Sequence, residues 1–381
     1  MGQQLGVCMI SIYYYPWAGG AEKQAERLGS WLVDHGVPVM MVTRRFDDSP
    51  TYEVRNGIHI YRIRTLPGKA FASLSFTLFA TLTLLRHRKK FNVIHSHQVY
   101  SPTTIGWLAA RLLRYPLIVN LHLGGAEGDI QRLLRNASTG KARLETLKRD
   151  ASAFIAISQE IAQEMRDQDV PEAKIHFLVN AVDPNHFIPL NPEAKLAMRR
   201  KLNLPPDAPL VVFVARLVEI KGAEVLLKAW EQVPAPAHLV VIGTGALEDK
   251  LKAQAAEKLP GRVTFTGRIE NVDEYLQAAD AWTLPSFGEG LPVSLLEAMS
   301  VALPVVATPV GAIPEIIESG VNGLIVPTGD VDALAQALTT AISRTDNTIT
   351  MGKRARDLVL QQYSLDAIGR SYLELYQATR L

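Results

Sequence analysis

The chain has 381 residues, enough for two or three domains at about 100–200 residues each. Hydrophobic residues make up 48% and charged residues 20%, which excludes intrinsic disorder. A net charge of +2 excludes a nucleic-acid polyelectrolyte as partner, and the single cysteine, Cys8, excludes an intrachain disulfide or a cysteine-cluster metal site.

The charge is uneven. Residues 1–190 hold 22 Lys+Arg against 16 Asp+Glu, and residues 191–381 hold 18 against 22. The start, MGQQLGVCMI, lacks the basic region of a signal peptide, and Gly6 stands where myristoylation needs Ser or Thr. The longest charge-free apolar-leaning stretch, Ala70–Leu85, is short of the roughly 20 residues of a membrane span. A cytoplasmic location is expected. There the sequon Asn136-Ala137-Ser138 goes unused.

Short apolar runs alternate with amphipathic stretches. Gly6–Tyr13 is predicted as a buried strand carrying Cys8, Glu22–His35 as a helix and Val37–Thr43 as a strand. Strands follow at Val93–His97, Leu117–Leu121 and Phe154–Ile157, with helices at Thr104–Leu113 and Gln159–Arg166. The segment Asp183–Leu204, rich in proline and charge, interrupts the pattern. The series then restarts with strand Leu210–Ala215, helix Ala223–Gln232, strand His238–Gly243, helix Leu247–Glu257 and strand Val263–Thr266. Strand Ala281–Pro285, helix Leu291–Ser300 and strand Pro304–Thr308 complete it. This alternation predicts an α/β fold of two doubly wound parallel sheets, with ligands outside the carboxyl ends of the strands.

The richest segment is Pro285–Met299, PSFGEGLPVSLLEAM. A strand ends there, the glycine-flanked Glu289 follows, and a helix is expected to open near Leu291-Pro292. Its free N–H groups and dipole suit a phosphate. Glu297 lies about 9 Å along that helix from residue 291, a separation that fits a diphosphate at the helix start and a ribose beside Glu297. A capping loop with a solvent-facing glutamate has the same spacing.

Seven residues separate Glu289 from Glu297, and this pattern resembles the E-x7-E motif of the retaining glycosyltransferases of family 4. The string EGLPVSLLEAM, with PVVAT and then Gly311 and the IPEII that follows one residue later, is similar to that family almost word for word. The resemblance extends over nearly the whole chain. It implies the GT-B fold, two Rossmann-like domains facing across a cleft: residues 1–188, with a helix at about 364–381 packed back on them, and residues 189–363. It also implies glycosyl transfer from a nucleoside-diphosphate sugar, bound by the second domain, to a glycan, lipid-linked or small-molecule acceptor on the first. Neither a metal nor a cofactor is implied. Glu289 is expected at the donor sugar and Glu297 at the ribose, with Gly290, Leu291, Pro292 and Val293 at the phosphates.

Phe213–Gly222, FVARLVEIKG, resembles the family's strand-end GRL…KG, with Ala215 in place of its glycine. Arg216 and Lys221 are expected to neutralise the diphosphate leaving group. The loop Tyr15-Pro16-Trp17-Ala18-Gly19-Gly20-Ala21-Glu22 resembles the family's P-x-x-G-G-x-E loop, which places Gly19 and Gly20 over the donor diphosphate. Glu22 is also what a helix first turn favours. His122, at the end of the strand LIVNLH, carries a donor-sugar contact by the same resemblance, beside the reading of an ordinary structural histidine. Gly243 and Gly245 lack the third glycine of a dinucleotide fingerprint, and with Arg268 are placed around the nucleotide base. His95 and His97 share a strand face, the spacing of a metal pair without a third ligand. Val179-Asn180-Ala181-Val182-Asp183 resembles the family's P-N-G-V-D segment with its proline and glycine replaced, and is read as structural.

A sugar-nucleotide epimerase on the same scaffold and a non-catalytic partner subunit are the alternatives. The intact Glu289, Glu297, Arg216 and Lys221 speak against the second. A last expectation concerns Ala70–Leu85. As a helix it aligns Phe71, Leu74, Leu78, Leu82 and Leu85 and runs into Arg86-His87-Arg88-Lys89-Lys90. Such a segment suits either packing in the domain or peripheral contact with the inner face of an anionic membrane.

Overall fold

A computed structural model describes residues 4–16, 19–46, 48–125, 128–135 and 137–380. Trp17 and Ala18 of the glycine loop, Asn136 of the sequon and residues 1–3 of the start lie outside the described residues. The chain divides into Met1–Ala181 with Leu365–Leu381, and Val182–Ser364.

The first unit runs β1 (Val7–Ile10), α1 (Gly20–Asp34), β2 (Val39–Arg44), β3 (Tyr52–Arg55), β4 (Ile58–Ile63), α2 (Lys69–Arg86), β5 (Val93–His97) and α3 (Ser101–Leu113). It continues with β6 (Leu117–Asn120), α4 (Asp129–Leu134), α5 (Ala137–Asp150), β7 (Ala153–Ala156), α6 (Gln159–Asp167) and β8 (Ile175–Phe177). The sheet order is β3-β4-β2-β1-β5-β6-β7-β8, parallel except for the β3–β4 hairpin. That hairpin turns at Asn56-Gly57, both at positive φ, the chemistry of a tight two-residue turn. β1, β5, β6 and β7 are buried along their whole length, as expected of strands covered on both faces.

The second unit runs α7 (Pro192–Lys201), β9 (Leu210–Val214), α8 (Ala223–Trp230), β10 (His238–Ile242), α9 (Glu248–Lys258), β11 (Val263–Gly267), α10 (Val272–Ala278) and β12 (Ala281–Leu284). α11 (Val293–Ser300), β13 (Val305–Ala307), α12 (Ile313–Ile316), β14 (Leu324–Ile325), α13 (Val331–Ala341) and α14 (Asp346–Gln362) follow. Its all-parallel sheet has the order β11-β10-β9-β12-β13-β14, over a core that includes the fully buried Trp230 and Trp282.

The final helix, α15 (Leu365–Ala378), belongs to the first unit. Its Asp366 accepts from Trp31 Nε1 at 3.2 Å, Tyr376 Oη lies 2.8 Å from His95 Nδ1, and Tyr372 Oη accepts from Asn120 at 3.3 Å.

The structure differs from the sequence reading at the junction, expected between residues 188 and 189 and found at Ala181/Val182. The proline-rich stretch is part of the second unit. Asn191 caps α7 by accepting from Ala194 N at 2.8 Å, and Pro192 sits in its first turn. Arg199, buried, donates to the carbonyls of Ala278, Pro206 and Ala208 at 2.9 Å each and to Asp280 at 2.6 Å. Four bonds from one guanidinium tie this segment to the second sheet.

Candidate active site

In the second unit the sheet order places β10 and β11 on one side of β9 and β12 to β14 on the other. The order in which strands are added to the sheet reverses between β9 and β12, so the loops after those two parallel strands diverge and leave a crevice at their carboxyl ends, where doubly wound sheets bind ligands. Arg216 and Lys221 follow β9, and Glu289 follows β12. All three therefore flank the switch point.

Lys221 closes a short 3₁₀ turn, Glu219–Lys221, and its Nζ lies 2.7 Å from Glu289 Oε1. The same carboxylate oxygen accepts from Ser286 Oγ at 2.7 Å. Thr308 Oγ1 donates to the Ser286 carbonyl at 2.6 Å, and Phe287 N donates to Ile220 O at 2.8 Å, joining the two loops. Glu289 is buried, with 8% of its side chain exposed, and Lys221 has 16% exposed. A carboxylate so placed needs both of its partners. Arg216 by contrast is exposed, and its side chain makes no hydrogen bond or ion pair among the described residues. One cation is thus committed to the glutamate and the other stands exposed. The two cations had been expected to act alike.

Glycine is required around this crevice by close backbone approach. Gly243 has φ +137, and a Cβ there would lie 1.9 Å from Ala215 O. A Cβ on Gly245 would meet Leu217 O at 2.3 Å, and one on Gly311 the carbonyls of Glu289 and Gly290 at 2.4 Å. Gly243 N donates to Gly267 O at 2.9 Å, so the turn carrying Arg268 is set by the same loop. α11 opens at Val293 with Pro292 as its cap, two residues later than Leu291, because extended backbone at Pro292 precedes the first helical turn. Gly290, Leu291, Pro292 and Val293 form that entry, and Ser294 Oγ donates to Val214 O at 3.2 Å, holding the helix start on β9. Glu297 is 1% exposed. The reading of a solvent-facing glutamate is therefore overturned.

The first unit has its own switch point between β1 and β5. Gly19 is the cap of α1, and its N–H donates to Glu22 Oε2 at 2.8 Å. Glu22 Oε1 accepts from Gln98 Nε2, after β5, at 3.3 Å. Glu22 thus bridges the two loops, a capping role that leaves Gly19 and Gly20 at the helix start. His122, after β6, is held by its backbone: its N–H donates to Asp129 Oδ2 at 2.7 Å, and Leu123 N–H donates to the same atom at 3.2 Å. The imidazole lies with Nε2 3.3 Å from His97 Nδ1, and the His97 ring is tilted by 37° against that of His95, with centroids 4.2 Å apart. Burial lowers His122 to about 4 and His95 to about 3, and holds His97 well below its usual value. The row is neutral at physiological pH. His95 and His97 are spoken for by Tyr376 and His122, and among the described residues no group of three metal-ligating side chains converges. The first unit also has a cavity of about 520 Å³ lined by Arg44, Thr65, Leu66, Pro67, Gly68 and Ala72, at the carboxyl ends of β2 and β4.

Residues 18–186 match the model of Glycosyltransferase Family 4, and residues 208–344 that of Glycosyl transferases group 1. The chain belongs to the group 1, family 4 glycosyltransferases. Its relatives include an uncharacterized glycosyltransferase of Methanocaldococcus jannaschii, 27% identical over 97% of both chains. The alpha-maltose-1-phosphate synthase of Mycobacterium tuberculosis is 28% identical over 85% of this chain and 88% of its own. Among solved structures, HepE of Anabaena in complex with UDP and glucose has a TM-score of 0.81 at 21% identity, covering 98% of this chain and 100% of that one. The sucrose-phosphate synthase of Thermosynechococcus elongatus has a TM-score of 0.82 at 24% identity, over 98% and 99%. The fold of this glycosyltransferase is accordingly GT-B, built of two Rossmann-like units.

Two contributors to the glycosyltransferase site were absent from the sequence reading. Ser286 stood in the quoted string three residues before Glu289, and its hydroxyl was the available signal. Asp129, which positions His122, carried no local signal at all.

Proposed function

We propose that this glycosyltransferase is a retaining enzyme that moves a hexosyl group from a nucleoside-diphosphate sugar to a sugar or lipid-linked acceptor, without a metal. The observation that carries the proposal is the Lys221–Glu289–Ser286 cluster beside the exposed Arg216 at the β9/β12 switch point. In this reading the donor diphosphate lies at the start of α11, near Gly290–Val293, where the positive end of the helix dipole suits an anion. Arg216 and Lys221 compensate the charge that builds on the diphosphate as the glycosidic bond breaks. Glu289, fixed by Ser286 and Lys221, holds the transferred sugar, and Glu297 holds the ribose. Gly243, Gly245 and Arg268 border the base. In the first unit, Gly19, Gly20 and the neutral His122 serve the donor sugar and diphosphate.

The acceptor is assigned to the first unit, where the cavity beside Arg44 opens at strand carboxyl ends, the position such sheets use for ligands. Relatives support the donor class by their names: HepE was crystallised with UDP and glucose, and a Corynebacterium glutamicum relative is a GDP-mannose-dependent mannosyltransferase.

The test is turnover of UDP-, GDP- and ADP-hexoses with and without a glycan acceptor, in buffer containing EDTA. Release of nucleoside diphosphate that depends on acceptor, survives EDTA and gives a product with the donor's anomeric configuration is expected. An inverted product overturns the retaining reading, and loss of turnover in EDTA overturns the metal-free one.

A further inference from the structure

The stripe on α2 faces water. Phe71 is 65% exposed, Leu74 69%, Leu78 53% and Leu82 52%, with Phe79 at 41% beside them. The opposite side of the helix, with Ala72, Phe76, Ala80 and Leu84, is buried in the unit. α2 is therefore apolar on both sides while only one side is covered. A helix that is apolar all round is normally buried in something, and a contiguous exposed apolar patch marks an interaction surface.

The polar groups of α2 are adapted to leaving water. Its five hydroxyls are all bonded: Ser75 to Phe71 O, Thr77 to Ser73 O at 2.9 Å, Thr81 to Thr77 O and Thr83 to Phe79 O at 2.8 Å, and Ser73 to Ser101 Oγ at 3.2 Å. Such back-bonding is how Ser and Thr satisfy themselves in an apolar medium.

The charge is one-sided. From residue 54 to residue 126 the sequence has ten Lys or Arg and no Asp or Glu. Arg86, Arg88, Lys89 and Lys90 are exposed at the end of the stripe. α3, which packs along α2, adds the exposed Leu112 and Arg114.

We propose that the α2 face docks on an anionic lipid bilayer. Phe71, Leu74, Leu78, Phe79 and Leu82 enter the interface, and Arg86, Arg88, Lys89 and Lys90 meet the headgroups. Charge selects this occupant over a second copy of the chain. A self-dimer through this face would press together two surfaces whose surrounding sequence has no acid to pair with its bases. No helix among the described residues is long and apolar enough to cross a membrane, so the attachment is peripheral.

The experiment is co-sedimentation of the full chain with vesicles of phosphatidylcholine alone or with 30% phosphatidylglycerol, in low and high salt, with solution mass measured in parallel. The wild type is expected to bind the anionic vesicles about 10²-fold more tightly at low salt, since each basic residue at such a surface adds several-fold, and to lose that preference in high salt. L74Q/L78Q is expected to lower binding to anionic vesicles at least about 10-fold, from the lost apolar burial. R88Q/K89Q is expected to lower the anionic preference and spare any neutral binding. An unchanged melting temperature shows that each variant is folded, because all four positions are exposed. No binding, binding indifferent to lipid charge, or a wild-type dimer that L74Q/L78Q dissociates overturns the proposal. None of these readouts needs turnover, so the result is independent of the donor and acceptor chemistry.

Discussion

Lys221 Nζ lies 2.7 Å from Glu289 Oε1, a pair that links the loop after β9 to the loop after β12 across the switch point of the second sheet. The ammonium therefore has two roles. It neutralises a buried carboxylate, and it presents positive charge where the donor diphosphate is proposed to lie. Arg216, exposed and without a side-chain partner among the described residues, has only the second role.

This asymmetry separates two effects of mutation. Both K221A and R216A are expected to slow transfer by about 10²–10³-fold, the scale of removing one preorganised charge-stabilising group. Only K221A is expected to lower stability, by about 1–3 kcal/mol, because it leaves Glu289 buried with Ser286 alone. R216A should stay within about 0.5 kcal/mol of the wild type. The double variant should lose less than the product of the two rate effects, since both cations are read as acting on one diphosphate. Steady-state kinetics and denaturant melts check this. Equal stability losses in K221A and R216A contradict the pairing.

The two glutamates should divide kcat and KM between them. E289Q keeps a hydrogen-bonding partner for Ser286 but removes the charge beside the transferred sugar, so kcat is expected to fall with little change in donor KM. E297A, at the proposed ribose position, is expected to raise donor KM with a smaller effect on kcat. Similar changes in both parameters for both variants exclude the assignment.

How far the sequence reached can be argued from particular residues. The parallel sheets were legible because strands covered on both faces are unbroken apolar runs, as at β9, Leu210–Val214, which the sequence places at Leu210–Ala215. The β3–β4 hairpin was not read, although Asn56-Gly57 is a strong turn signal. Its flanking strands are half exposed and lack the run that identified the others. The candidate residues Glu289, Lys221 and Arg216 were found through motifs, but the ion pair was not. Its partners stand 68 residues apart, and only the sheet order brings them together. The proline- and charge-rich stretch Asp183–Leu204 gave no sign of its attachment to the second sheet, because Arg199 reaches Asp280 from 81 residues away.

Backbone approach gives a prediction independent of chemistry. G243A places a methyl 1.9 Å from Ala215 O at a φ of +137, and the strands β9 and β10 cannot separate to accept it. A loss of at least about 3 kcal/mol is expected, as for other severe packing and strain defects. G261A, at φ +70 with nothing within 4 Å, meets only the left-handed backbone and should cost about 1–2 kcal/mol. Thermal melts of the two variants give the comparison, and a G261A as damaging as G243A would refute the steric account.

The last prediction concerns acid. His95, His97 and His122 all titrate below the ordinary histidine value in the folded chain, His95 at about 3 and His122 at about 4, because burial disfavours the imidazolium. In the unfolded chain each titrates near 6.5. Between about pH 6.5 and 4 the unfolded state therefore binds more protons than the native state, and stability falls as the pH falls. Each histidine contributes a slope approaching about 1.4 kcal/mol per pH unit inside that window and nothing above it. The first unit should lose stability steeply below pH 6, with no comparable loss between pH 7 and 8. His95 and His97 are bonded at Nδ1, to Tyr376 and His122 respectively, so asparagine can replace either ring with a neutral group of smaller volume. H97N is expected to be less stable at pH 7.5 but to show a shallower decline from pH 6.5 to 4 than the wild type. Equilibrium denaturation at several pH values measures both quantities, and an unchanged slope in H97N would mean that the acid sensitivity resides in other groups.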